Sequence, residues 1–328
     1  MLLAMLIWSA VCVTTFLFAR LSGARDYLSF FRALLGRGWV VFETAYVLFV
    51  VLILAVFGAA AGAIGAAMFE WPKIAGTLAL MAGIAGFVTF GNTSVERLFK
   101  YVSLLLYGVY ILFVVFAIAR FGDRIAAGFA AGVVSDDVGP SNWALGGITY
   151  ASYNIIGAVV ILPVVRHLTS DRDAVIAGLI AGPLAMLPAL LFFVCMVAFY
   201  PAVANETLPS DFLLQHFDRP WFHLLFQLMI FAALLESGTG AVHAINERVA
   251  KAWLLARGET LTHRARLSIA LALLVLCMLL ADRFGLVALI AKGYRALAVI
   301  FLVVYVVPLL TIGALRLWRR GAGENAKG

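Results

Sequence analysis

Charge is scarce in this sequence. Only 12% of its 328 residues are Asp, Glu, Lys or Arg, about half the share with which a soluble domain covers its surface. Hydrophobic residues make up 64%, which excludes a water-facing surface for the chain as a whole. Cysteine is sparse too. Cys12, Cys195 and Cys277 lie in apolar runs without paired or metal-ligand spacing, so neither a disulfide framework nor a metal site is expected. The five histidines are scattered. No phosphate loop, Rossmann fingerprint, His-Glu-x-x-His or Gly-x-Ser-x-Gly occurs, and an enzyme is not expected.

What the sequence does have is long apolar runs bounded by charge. They cover Met1 to Ala19, Val40 to Met68, Ile74 to Phe90, Tyr101 to Ala119, Trp143 to Val165, Ala174 to Phe199, Phe222 to Ala244, Leu267 to Ala281 and Ala296 to Leu317. A helix crosses the hydrocarbon core with about 20 apolar residues, whereas a barrel strand needs about half as many and alternates with period two. The runs are continuous, which predicts an all-α polytopic membrane protein with nine transmembrane helices in one transmembrane domain spanning 1–328.

Lys and Arg set the expected orientation, because cytoplasmic loops retain positive charge. One side collects Arg20, Arg25, Arg32, Arg37, Arg97, Lys100, Arg166, Arg172, Arg248, Lys251, Arg257, Arg264, Arg266, Arg316, Arg319, Arg320 and Lys327, seventeen of the 24 basic residues. The other holds Lys73, Arg120, Arg124, Arg219, Arg283, Lys292 and Arg295, with acids such as Glu70, Asp136, Asp137, Glu206, Asp211 and Asp218. The carboxyl end, 318–328, is therefore expected in the cytoplasm. A net charge of +7 is accounted for by juxtamembrane basic residues beside anionic lipid, without nucleic acid. Nine spans place Met1 outside, inside an apolar run with no charged flank, which predicts a further helix upstream; a signal peptide lacks its basic start and cleavage site here.

In a bilayer a polar side chain or an interrupted helix marks the bundle interior or a water-filled cavity. Over 141–168, Gly146, Gly147, Tyr150, Ser152, Tyr153, Asn154 and Gly157 interrupt an apolar run that continues to Pro163, predicting a broken helix over 146–157. Unwinding frees backbone groups and exposes half-helix ends that hold a carboxylate or a cation. Tyr150, Ser152, Tyr153, Asn154 and Gly157 are thus the candidate substrate-binding residues; close packing by Gly and Ser is the competing reading. In the second stretch, Glu236, Gly240, His243 and Glu247 share one helix face bordered by Thr239, and that stripe is expected to face the bundle. Glu236 is the candidate to take a proton or balance a cation, against a structural hydrogen bond to a neighbouring helix. The spacing of Gly58, Gly62 and Gly65 permits close helix contact, and Lys292, Tyr294 and Arg295 read as belt anchors.

The stretches Tyr150-Ala-Ser-Tyr-Asn154 to Leu162-Pro163, Glu236-Ser-Gly-Thr-Gly to Glu247-Arg248, and Lys292-Gly-Tyr294 before a Pro308-containing helix resemble the YkvI-like membrane proteins of the amino acid-polyamine-organocation superfamily. The resemblance covers nearly the whole chain. It implies a LeuT-type fold of two inverted five-helix repeats: 1–119 would be the remainder of the first repeat, lacking its first helix, and 143–317 the second, with the Trp143 span sixth and the Phe222 span eighth. It further implies a secondary transporter in the bacterial plasma (inner) membrane, moving an amino acid or similar small polar solute with sodium or protons. In that fold a sodium ion commonly lies between the first and eighth helices, which Ser237 and Thr239 match approximately. Two other classes stay open: a passive channel, and a non-transporting sensor or assembly partner.

Overall fold

The computed structural model describes residues 1–24, 26–90, 92–132, 142–160, 162–165 and 167–325, with the backbone alone at 90, 92–99, 160, 163–164 and 320–325. Arg25, Asp136, Asp137, Arg166 and Lys327 of the charge argument lie outside the described residues, as do the side chains of Arg97, Pro163 and Arg320.

The structure is 89% helical, with no strand among the described residues. The helices are α1 (Leu2–Ser22), α2 (Tyr27–Leu35), α3 (Trp39–Phe69), α4 (Lys73–Phe90), α5 (Asn92–Ala130), α6 (Asn142–Asn154), α7 (Gly157–Val160), α8 (Leu162–Val165), α9 (Asp171–Val197), α10 (Pro209–Gln215), α11 (Pro220–Arg257), α12 (His263–Ala288), α13 (Arg295–Phe301) and α14 (Ala314–Asn325). Among the described residues six helical runs are long and apolar enough to cross a membrane: Leu2–Ser22, Tyr27–Phe69, Lys100–Ala130, Asp171–Val197, Pro220–Arg257 and His263–Arg319. Along α5, Leu104, Tyr107, Ile111, Val115 and Ile118 are all at least half exposed. Their spacing of three and four residues makes an apolar stripe that water would not tolerate and lipid does. The chain is an all-α, multi-pass membrane protein.

Nine expected spans and six observed runs differ for three local reasons. The Ile74 segment forms only a shorter apolar helix, Lys73–Thr89. The Trp143 segment is interrupted at Ile155 and Ile156, between α6 and α7. The last two segments fall in one run, His263–Arg319, inside which Gly285 adopts φ 72, ψ 167, a conformation open to glycine and closed to other residues. Beyond it π-type turns at Leu302–Val306 and Leu309–Gly313 flank Pro308, whose missing N–H breaks the regular ladder.

The described residues form two compact units whose segments interleave along the chain: Met1–Tyr46, Val134–Phe193 and Gly293–Gly328, and Val47–Val133 with Val194–Lys292. In the first unit α1 packs against α6, α7, α8 and α14. Its core is aromatic: Phe18, Phe30, Phe31, Phe42, Phe301 and Tyr305 are fully buried. Thr15 Oγ1 donates to the Val11 carbonyl (2.6 Å) and lies 2.7 Å from Tyr305 Oη. A hydroxyl has one proton, so Tyr305 is the donor to Thr15. Tyr305→Phe is expected to cost about 1 kcal/mol, read as a lower unfolding midpoint of the purified protein, with Tyr305→Leu costing more through lost ring packing. Glycines bring α9 onto α1: a Cβ at Gly178 would lie 2.5 Å from Val13 Cα, and one at Gly182 would overlap Ser9 Oγ and the Met5 carbonyl.

In the second unit α11 packs against α4, α5, α10 and α12, and α12 against α4. Gly62 is a close-contact residue as its spacing suggests: a Cβ there would come within 2.6 Å of the Lys73 carbonyl. Thr77 Oγ1 donates to the Gly58 carbonyl (2.8 Å) across the same contact. The three cysteines are buried free thiols.

Candidate functional site

The first unit holds the interrupted helix. α6 ends at Asn154, Ile155 and Ile156 form a turn, and α7 begins at Gly157. The break thus falls within the expected stretch, at its carboxyl end. Gly146 and Gly147 remain helical, and Gly147 instead admits α1, since a Cβ there would meet Leu3 at 3.2 Å. Side chains at the end of α6 turn back on its own carbonyls: Ser152 Oγ donates to Ile148 O (2.6 Å) and Asn154 Nδ2 to Tyr150 O (2.9 Å). Such local bonds compete with the helix ladder and favour its termination. Asn154 keeps its side-chain carbonyl as an acceptor.

Around this end sits a group of aromatic rings. Tyr150 and Tyr153 meet edge to face, with centroids 5.6 Å apart. Tyr153 stacks on Tyr294, at 4.7 Å and 28°. A Cβ at Gly157 would lie 3.3 Å from Trp8 Cζ2, so the indole covers the start of α7. Ser152 is buried, while Tyr150, Tyr153, Asn154 and Gly157 are half-buried. Of the five candidate residues, Tyr150 and Tyr153 are in ring contact and are joined by Tyr294, Gly157 lies against Trp8, and the Ser152 and Asn154 side chains bond back to α6 itself. Tyr294, which reads from the sequence as a belt anchor, instead stacks on Tyr153.

Glu236, Ser237 and Thr239 belong to the second unit, on the unbroken α11. The buried face of this part of the helix is formed by Gly238, Thr239, Val242, Ile245, Asn246 and Ala250. Glu236, Gly240 and His243 flank it half-buried, and Ser237 and Glu247 are exposed; Glu247 pairs with Arg266. The stripe expected to face the bundle is thus displaced by one position toward Thr239. Ser237 and Thr239 are separated by about 200° around a helix with 3.6 residues per turn, so one ion does not reach both hydroxyls. Thr239 Oγ1 is buried with no hydrogen-bond partner among the described residues, and Asn246 Oδ1 is too. Thr239 thus has a buried hydroxyl left over for a further partner, whereas Ser237 is exposed. Asn246 lies two turns away, about 10 Å along the axis, and belongs to a different environment.

A further polar group escaped the sequence reading. Asp211, on α10, is 6% exposed. Its Oδ1 accepts from His223 Nε2 (2.6 Å) and Gln227 Nε2 (2.7 Å), and its Oδ2 from Gln215 Nε2 (2.8 Å). The pairs Asp211/Gln215 and His223/Gln227, each four residues apart, were the available clue.

No family model matches the chain, and no curated protein matches it.

Proposed function

We propose that this chain is an ion-coupled carrier for an amino acid or similar small polar solute with an amino group, and that it belongs to the YkvI-like group with its LeuT-type inverted repeat. The observation that carries this reading is the interruption of an apolar helix at Ile155–Ile156 beside half-buried polar and aromatic side chains. The carboxyl end of α6 presents partial negative charge from its terminal carbonyls. The ring of Tyr150 attracts a cation as well, and Asn154 offers an acceptor. An ammonium group satisfies all three. In such carriers one helix bundle rocks as a rigid body, and the two interleaved compact units support that. For the coupling ion, Glu236 is the proton candidate and Thr239, with its unpartnered buried hydroxyl, the sodium candidate.

The test is uptake of labelled amino acids and amines into proteoliposomes under imposed sodium or proton gradients, for this chain and for any longer natural form read from the same frame. Asn154→Ala is expected to lower gradient-driven uptake about fivefold, the weight of one neutral hydrogen bond. Glu236→Gln removes proton stimulation if the proton couples, and Thr239→Val removes sodium stimulation if sodium does. Failure of every form to accumulate any solute under either gradient would overturn the reading.

A further inference from the structure

In the second unit a cleft of about 630 Å³ is lined by Arg120, Phe121, Arg124, Gln215, His216 and Asp218. A smaller one of about 290 Å³ shares Arg120 and adds Arg219 between Phe116 and Phe217. Arg120 and Arg124 therefore line the larger cleft with one carboxylate, and Arg219 lines the adjoining one. That carboxylate, Asp218, is committed to Arg120. It sits at φ 54, a left-handed conformation that Asp tolerates better than most residues. Arg124 and Arg219 pair with no carboxylate among the described residues. Asp123, the next acid on this stretch of α5, neither lines the cleft nor forms an ion pair there.

Both unpaired arginines are nevertheless held in place. The Arg124 guanidinium lies 5.6 Å from the Phe199 ring centre and 6.0 Å from that of Phe121, and Arg219 lies 4.9 Å from that of Phe116. Stacking on an aromatic face fixes a guanidinium plane without occupying its N–H groups or cancelling its charge. His216 is fixed too: its ring packs at 4.6 Å from both Phe199 and Phe212, and its Nδ1 donates to the Phe212 carbonyl at 2.8 Å. A planar fork of donors, oriented beforehand and without a carboxylate partner among the described residues, suits two-pronged oxyanion recognition.

The geometry points to an oxyanion-binding site in this cleft, in which Arg124 takes two oxygens of a phosphate or carboxylate group and Arg120 and Arg219 flank it. That group belongs either to a free solute or to an anionic lipid headgroup. The site is separate from the interrupted helix and does not depend on the transport reading.

Inorganic phosphate is titrated against chloride at constant ionic strength into delipidated, detergent-purified protein, and the thermal midpoint is followed. In parallel, bound phosphatidylglycerol is counted by native mass spectrometry before delipidation. The wild type is expected to show a saturable rise in midpoint with phosphate. Arg124→Gln is expected to weaken the apparent affinity about tenfold, the weight of a charge-assisted hydrogen bond, and Arg124→Lys, a point charge without the fork, falls between. Phosphatidylglycerol retained by the wild type, lost in Arg124→Gln and displaced by phosphate assigns the lipid source. Phosphate binding with no retained lipid assigns the free solute. Phosphate responses and lipid counts that are the same in wild type, Arg124→Gln and Arg219→Gln overturn the site; the second variant serves if the first does not fold.

Discussion

Gly182→Ala is expected to lower stability by about 2 kcal/mol, whereas Gly108→Ala leaves it unchanged or raises it by about 0.5 kcal/mol. The two changes add the same methyl group to an apolar helix. In the interior of an otherwise regular helix alanine is normally the better residue, because glycine loses more backbone freedom on folding. At Gly108 nothing lies within 4 Å of the added carbon, so that advantage stands. At Gly182 the carbon would overlap Ser9 Oγ and the backbone carbonyl of Met5. Ser9 is itself committed, its Oγ donating to the Leu179 carbonyl at 3.0 Å. A side chain can turn aside, but a carbonyl in a helix moves only with the helix, so α1 and α9 must separate and the contact loosens over its length. Reversible unfolding of the two purified variants in one detergent checks this. Equal midpoints would mean that the α1–α9 contact does not exist in this form.

The second large effect belongs to Asp211→Asn, expected to cost about 3 kcal/mol despite its near-identical shape. Asp211 is nearly buried and its two oxygens take three donors, from His223, Gln227 and Gln215. Asparagine replaces one of those oxygens with an NH2 that faces a donor, and removes the charge that strengthens the other bonds. Gln227 Oε1 lacks a partner, so turning that amide can recover one bond to the new NH2, while the other donors lose the charged acceptor they shared. Gln215→Ala, by contrast, removes one bond from a residue at the exposed edge and is expected to cost about 1 kcal/mol. The order of the two midpoints is the observable, and its reversal would show that the carboxylate is not the hub.

The placement of the apolar segments was legible because hydrocarbon imposes it residue by residue. Helix interruption was legible too, from Asn154 and its neighbours, but its position was not: Gly146 and Gly147 read as the weak point and are both helical, and Gly147 serves contact with α1 at Leu3 rather than unwinding. Glycine has both uses, and only the partner surface distinguishes them. The stripe on α11 was misplaced for a related reason. Acid and histidine attract attention, while the buried face is carried by Gly238, Thr239, Val242, Ile245, Asn246 and Ala250, mostly small and uncharged. The Asp211 group was hidden because its members come from α10 and α11, and a fold is needed to put them together.

The glycine contact between α1 and α9 also bears on motion. In a bilayer no expulsion of water holds helices together, so cohesion rests on close van der Waals fit and on hydrogen bonds. Where Gly178 and Gly182 let backbone rest directly on backbone, there is no layer of flexible side chains to act as lubricant. Sliding by even one residue would drive Ser9 and Val13 against the ridges beside each glycine. The two helices are thus keyed together like a tooth in a notch, and any displacement of α9 within its unit carries α1 with it as a single lever.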